Sequence, residues 1–280
     1  GLFQPLLGFN FEINSLKDVE DYIYEDNSQE PLDPSTYYVD PITYENYGVF
    51  LQLMTERLSN LMIISSLRYE YNYFFKDFVS PKFTAEYTMG KLKFSFNYGR
   101  AFRAPTPREL LIKTSDWVEG NADLKPEKID STSGNIKFHT GKLNFRFTVF
   151  FQRLKDLIER ISVSGGRKYV NLGNEEITGV TAAFKYKTER LNFHISGTWQ
   201  EALVEEKPQY GYPEFKIVQW ADYDINDKLN FSLSNRWIGT RPRSVWNEDK
   251  EDGPAYMITD INISYKCSKI RFSTFIKNIF

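Results

Sequence analysis

Cysteine is almost absent: the 280 residues hold one, Cys267. A single thiol excludes an internal disulfide framework and any multi-cysteine metal site. Histidine is nearly as scarce, with His139 and His194 alone. No run of about 18 apolar residues occurs, so no transmembrane helix is encoded. No excess of either charge exists. The formal net charge is −2, which leaves no basic footprint for nucleic acid. The opening residues lack a basic start and a small-residue cleavage site, so no signal peptide is visible. No phosphate-cradling glycine loop, zinc motif or nucleophile elbow appears. No catalytic residue, metal site or cofactor is therefore expected. A mean hydropathy of −0.48 would, taken alone, describe a water-soluble chain.

What the chain has instead is aromatic side chains and a repeat. Phe, Tyr and Trp make up 16% of it, and flat rings cover a pleated sheet well. Five times a turn residue, a basic residue, an aliphatic residue and then an aromatic recur: Gly90-Lys91-Leu92-Lys93-Phe94, Gly141-Lys142-Leu143-Asn144-Phe145, Glu189-Arg190-Leu191-Asn192-Phe193, Asp227-Lys228-Leu229-Asn230-Phe231 and Ser268-Lys269-Ile270-Arg271-Phe272. A looser copy is Glu56-Arg57-Leu58-Ser59-Asn60-Leu61. Each lies between two strand-like runs and reads as a tight hairpin turn. Between them are polar stretches with Pro and Gly, over 15–42, 74–79, 103–129, 157–176, 204–214 and 240–255, read as longer loops.

The strand-like runs alternate. Leu191, Phe193, Ile195, Gly197 and Trp199 share one face, while Asn192, His194, Ser196, Thr198 and Gln200 share the other. Leu143, Phe145, Phe147, Val149 and Phe151 oppose Asn144, Arg146, Thr148 and Gln152. One face can then meet lipid and the other a wet lumen. Averaging the two faces produces the negative hydropathy. A soluble antiparallel sheet also alternates. These runs, however, reach about 10 to 13 residues, the length of a tilted transmembrane strand, against about 5 to 6 in globular sheets. Tyr44, Tyr47, Tyr98, Trp199, Trp220, Trp237, Tyr256 and Tyr265 lie near strand ends, where aromatic girdles belong. The expectation is an all-β, transmembrane antiparallel β-barrel of about 13 strands, an odd number that suits a piece of a larger barrel.

Three stretches carry a resemblance. Gly99-Arg100-Ala101-Phe102-Arg103-Ala104-Pro105-Thr106-Pro107-Arg108-Glu109-Leu110 is similar to the F-R-A-P-T-x-x-E-L motif of TonB-dependent receptors. Gly120-Asn121-Ala122-Asp123-Leu124-Lys125-Pro126-Glu127 resembles their G-N-P-x-L-K-P-E. Tyr169-Val170-Asn171, followed by Gly179-Val180, resembles Y-x-N … G-V-E, with Thr181 in place of the acidic residue. The resemblance covers the whole chain. It implies that residues 1–280 are one partial barrel domain, cut from about 22 strands that enclose an N-terminal plug. Lys277-Asn278-Ile279-Phe280 is similar to a segment that precedes the family's final strand. The plug, the energy-coupling box, the first strands and the last are thus expected outside this sequence.

The resemblance also implies a function: active import of a scarce nutrient across the outer membrane of a Gram-negative-type bacterium. The cargo first expected is a ferric siderophore, and the energy comes from a TonB-type coupling protein that acts through the plug. Outer-membrane lipid and lipopolysaccharide would surround the wall. A passive porin-like barrel is the alternative, as is uptake of glycan, peptide or cobalamin by the same fold.

Several side chains are candidates for ligand contact. Arg100 and Arg103 offer planar donors that suit an anionic ligand, a lipopolysaccharide phosphate or a lumenal carboxylate such as Glu109 or Glu127. Arg241, Arg243 and Trp246 form a cationic, aromatic cluster suited to a ferric catecholate or carboxylate, or to an ordinary girdle. Phe102, Ala104, Pro105, Asn121, Leu124, Pro126 and Glu127 read chiefly as residues that shape the 103–129 loop. Tyr22, Tyr24, Tyr37, Tyr38, Tyr210 and Tyr212 sit among acids in two other loops. Both histidines face the lumen by the alternation. Residues 106–120 contain no His, which counts against haem as cargo.

Overall fold

A computed structural model describes residues 3–16, 37–38, 42–55, 59–74, 76–114, 118–164, 166–209, 211–242 and 252–279. Thirteen strands follow one another in a single antiparallel path, in sequence order. They are β1 (Phe3–Leu16), β2 (Ile42–Thr55), β3 (Leu61–Asn72), β4 (Lys76–Met89), β5 (Leu92–Arg103), β6 (Glu127–His139), β7 (Leu143–Val163), β8 (Gly166–Lys187), β9 (Leu191–Val204), β10 (Phe215–Asp224), β11 (Leu229–Ile238), β12 (Tyr256–Cys267) and β13 (Ile270–Ile276). Two-residue strands Val118–Glu119 and Lys207–Pro208 add to β8 and β9. Among the described residues the path does not close: β1 pairs with β2 alone and β13 with β12 alone. No helix of the described residues is long and apolar enough to cross a membrane. One short helix, α1 (Pro107–Leu111), lies between β5 and β6.

The register carries the alternation across the whole sheet. Phe94, Ile136, Phe147, Ala182, Gly197, Ile217, Trp237 and Met257 form one unbroken rung. One residue further on, the rung reads Ser95, Asn135, Thr148, Thr181, Thr198 and Lys216. Directly opposed residues share a face, so the first rung lies on one side of the sheet and the second on the other. The large apolar side chains stay uncovered: Phe9 is 76% exposed and Phe96 47%. A continuous apolar face of this extent has one stable setting, the hydrocarbon of a bilayer. The polar face is laced by its own hydrogen bonds, including Thr148 Oγ1 to Asn135 Oδ1 at 2.7 Å and the Thr181 and Thr198 hydroxyls at 3.0 Å. Polar residues also occur on the apolar side. Gln219 and Asn235 sit on the apolar side beside Thr259, and Asn235 Nδ2 donates to Thr259 Oγ1 at 2.8 Å.

All the expected hairpin turns within the described residues are present, and they fall into two chemical classes. Gly90 (φ 58°) and Ser268 (φ 56°) turn the chain through left-handed backbone. The other three turns are capped by the residue before the repeat. The N–H groups of Leu143, Leu191 and Leu229 donate to Thr140 Oγ1 (3.0 Å), Thr188 Oγ1 (3.0 Å) and Asn226 Oδ1 (2.9 Å). Short polar side chains replace the ladder bonds that a turn interrupts. Residues 56–58 lie outside the described residues.

The aromatic girdles hold in part. Tyr47, Tyr69, Tyr98, Trp199 and Trp237 mark the apolar face near the long loops. Tyr87, Tyr186, Tyr223 and Tyr265 mark it near the short turns. Tyr44, Trp220 and Tyr256 instead fall on the polar face by their register. Trp220 lies 5.6 Å from the His194 ring, ring centre to ring centre. Two expected loops are strand. Residues 76–79 belong to β4, and most of 157–176 is the far end of β7 and β8, which run for 21 and 22 residues.

The two faces predict unequal tolerance to charge. Phe147→Arg in the full-length protein should destabilise the barrel by about 2–4 kcal/mol, the cost of a cation near mid-bilayer. Thr148→Arg, one residue away on the polar face, should cost little. Denaturant-dependent folding into lipid vesicles measures both, and equal losses would refute the assignment of faces.

Candidate functional site

The long-loop end gathers the residues singled out by motif. Arg103 closes β5 on the polar face, opposite Glu127, which opens β6. Its guanidinium holds two carboxylates at once. Nε and Nη2 donate to Glu127 Oε2 and Oε1 at 2.6 and 2.8 Å. Nη1 donates to Glu109 Oε2 at 3.1 Å. Glu109 also completes a capping box on α1. It accepts from the Thr106 N–H at 2.7 Å, while Thr106 Oγ1 accepts from the Glu109 N–H. Pro107 suits the first helical turn because it has no N–H to lose there. Burial pushes the Glu109 carboxyl up, but the hydrogen bonds from Arg103 and Thr106 outweigh this and hold it below the ordinary carboxylate range.

The second motif docks on the first. The Gly120 N–H donates to Ile112 O at 2.8 Å and the Asn121 N–H to Glu109 O at 2.9 Å. A Cβ on Gly120 would lie 2.8 Å from Ile112 N and 2.9 Å from Leu110 O, so only glycine fits. Leu110, Ile112 and Leu124 are buried together at this junction, at 4–6% exposure. Asn121 then turns the chain by accepting from the Asp123 N–H at 3.0 Å.

The third motif ties this loop to the β7–β8 hairpin. Asn171 accepts from the Lys125 N–H (2.8 Å) and donates to Lys125 O (2.9 Å) and Asp156 O (2.6 Å). Asn121 Nδ2 donates to Tyr169 O at 3.0 Å, and Glu127 Oε1 accepts from the Ile158 N–H at 2.9 Å. The hairpin kinks where it is held. Asp156 (φ 57°) and Gly173 (φ 39°) are both left-handed and both fall out of the pairing register. Val118 and Glu119 run parallel to Arg167 and Lys168 just above. Three motifs distant in sequence thus form one interlocked knot at the rim.

The other candidates lie elsewhere. Arg100, three residues before Arg103, is on the opposite face. Its Nε donates to Asp130 Oδ1 at 2.9 Å, where the Tyr98 hydroxyl also donates. With Arg153 and Glu176 on the same rung, it forms a charged row at the upper edge of the apolar face. Arg100 and Arg103 do not form one site. The lumenal-carboxylate role is realised at Arg103, which holds both Glu109 and Glu127. Arg241 stacks its guanidinium 4.8 Å from the centre of the Tyr256 ring. Arg243, Trp246, Tyr22, Tyr24 and Tyr210 lie outside the described residues, and for Tyr37 and Tyr38 only the strand backbone is described. His139 and His194 both share the polar face by register. Among the described residues no cluster of three or more His, Cys, Asp or Glu side chains could hold a metal ion.

One feature of the polar face has no motif behind it. Thr198, Gln200 and Lys216 on β9 and β10, with Gly211, Tyr212 and Pro213 above them, line a cavity of about 420 Å³. Alternation alone could have placed Thr198, Gln200 and Lys216 side by side. The loop that roofs them carries no periodic signal.

A family model described as TonB dependent receptor-like, beta-barrel matches residues 3–279. Among solved structures, a mutant of the ferric enterobactin receptor PfeA of Pseudomonas aeruginosa is similar, with a TM-score of 0.77 and 16% identity, over 99% of this chain and 45% of that one. The siderophore receptor PirA of Acinetobacter baumannii matches with a TM-score of 0.78 and 16% identity, over 99% and 48%. The copper transporter OprC matches with 0.77 and 15%, over 100% and 48%. At such identities the likeness is one of fold, and the chain spans less than half the length of each of these proteins.

The knot predicts acid lability. Glu109 is lowered on folding, so its contribution is complete above the ordinary carboxylate value of about 4.3 and fades as pH falls through its lower folded value. Amide hydrogen exchange at Leu124 and Ile158 in the full-length protein, taken relative to the intrinsic rate at the same pH, should therefore quicken below about pH 4.3. Arg103→Ala should quicken it at neutral pH, where two carboxylates then face each other. Protection unchanged in that variant would show that the clamp does not hold the loop.

Proposed function

This chain belongs to the TonB-dependent receptor β-barrel family, and on that premise we propose that the protein containing it is an active-transport receptor of a bacterial outer membrane. It captures a scarce nutrient at the long-loop end and passes it through the lumen. The observation that supports this reading is the two-faced wall, matched by the family over residues 3–279 and crowned by a braced rim. Such a wall performs no chemistry; it encloses, orients and selects. The cargo we infer is a ferric siderophore. PfeA and PirA are named as siderophore receptors. The energy source in this proposal is a TonB-type coupling protein that acts through a plug supplied by another part of the same protein. Lipid and lipopolysaccharide contact the apolar face.

Radio-iron uptake in the source bacterium tests this. Cells are offered ferric tris-catecholate, ferric hydroxamate and ferric citrate, with copper and cobalamin in parallel. Deleting the gene should abolish uptake of one ferric chelate, and so should deleting the coupling protein. Uptake that survives loss of the coupling protein, or steady ion conductance of the purified full-length protein in planar bilayers, would show a passive pore instead. Loss of copper or cobalamin uptake alone would reassign the cargo.

A further inference from the structure

The cavity beneath Tyr212 is a built feature. Its floor is two adjacent strands, with Thr198 opposite Lys216 in the register. Gly211, Tyr212 and Pro213 roof it. Glu205 (φ 47°) and Glu206 (φ 66°) make the tight turn that brings Lys207 back against Val204. The Gln209 N–H donates to Ala202 O at 2.8 Å. Gly211 (φ 79°) then reverses the chain, and its N–H donates to Pro242 O at 2.9 Å, which ties the roof to the next loop. Gln200 closes the side, its backbone N–H donating to Glu214 O at 2.8 Å and its Nε2 to Pro213 O at 3.3 Å.

The polar atoms left over define a ligand. Among the described residues Lys216 has no carboxylate partner, and the Tyr212 hydroxyl has no hydrogen-bond partner. Burial and then the nearby Glu175 carboxylate push the Tyr212 hydroxyl up. The Gln200 side chain uses one of its two N–H groups on Pro213 O and keeps its carbonyl oxygen as an acceptor. An ammonium and a phenol that donate, next to an amide oxygen that accepts, fit an oxyanion carried beside an O–H or N–H group. The volume is within the range of small-molecule sites.

We propose that Lys216, Tyr212 and Gln200 form a subsite for an anionic, oxygen-rich part of the imported molecule, such as a hydroxycarboxylate or catecholate arm. This rests on the import reading and deepens it: the subsite selects an anionic chelate over a neutral one. Lys216 supplies the charge, Tyr212 a directed donor and Gln200 the acceptor that rejects a bare, donor-free arm.

The test uses the full-length receptor in detergent, with two readouts. Mass-spectrometric lysine footprinting is run with citrate as the probe. Fluorescence titration is run with ferric tris-catecholate, ferric citrate and a neutral ferric tris-hydroxamate, on the wild type and on Lys216→Met and Lys216→Arg. Citrate should protect Lys216 while other exposed lysines stay reactive. Lys216→Met should weaken the preferred anionic chelate about tenfold, the size of one charge-assisted hydrogen bond, and Lys216→Arg should restore most of it. An anionic chelate bound equally by wild type and Lys216→Met overturns the subsite and leaves the import reading standing. Protection of Lys216 without binding of any ferric chelate keeps the subsite and removes the ferric cargo. Neither protection nor binding removes both.

Discussion

A backbone amide in hydrocarbon has no water to turn to, and everything else in this wall follows from that. Each strand must find both its neighbours, so the path runs through thirteen strands in sequence order without a crossover. Short turns keep neighbours adjacent, and capping by Thr140, Thr188 and Asn226 satisfies the groups that the turns would strand. Register then does the sorting. Because opposed residues share a face, a slip of one residue would carry Thr148 and Asn135 into the lipid and Phe147 and Ile136 into the lumen. The apolar rung and the polar rung beside it are thus two views of one constraint.

The same constraint ends at the rim, where water returns and the chain is free to leave the ladder. There the structure is held by side chains. Arg103 bridges two carboxylates, and Asn171 bonds to two backbone segments at once. Each interaction is partly exposed and modest alone. Together they fix α1, the loop to β6 and the kinked β7–β8 hairpin relative to one another. Residues that carry the family resemblance build this brace.

Much of this was legible in the sequence. The repeat marked the turns, and alternation assigned the faces over 143–152 and 191–200. The strand path matched because each turn is local. Other features were not legible, for identifiable reasons. Residues 157–176 read as loop because Gly165 and Gly166 and a run of charge break the alternation, yet beyond the bilayer a hairpin needs no apolar face. Arg100 and Arg103 looked like one cluster, although an odd spacing on a strand sends them to opposite sides. Trp220 looked like a girdle residue by composition and is a polar-face residue by parity. The meeting of Asn121 with Tyr169, and of Lys125 with Asn171, joins residues more than forty positions apart. The roof over Lys216 depends on a similar union of separate loops.

One face of this sheet meets lipid and the other a lumen. Spin-label accessibility tests it most directly, on the full-length receptor in bilayers with Cys267→Ser as background and single cysteines placed from Leu143 to Gln152. Accessibility should alternate with a period of two. Labels at Phe145, Phe147, Val149 and Phe151 should collide with oxygen dissolved in the hydrocarbon, and those at Asn144, Arg146, Thr148 and Gln152 should not. Accessibility without that alternation would contradict it.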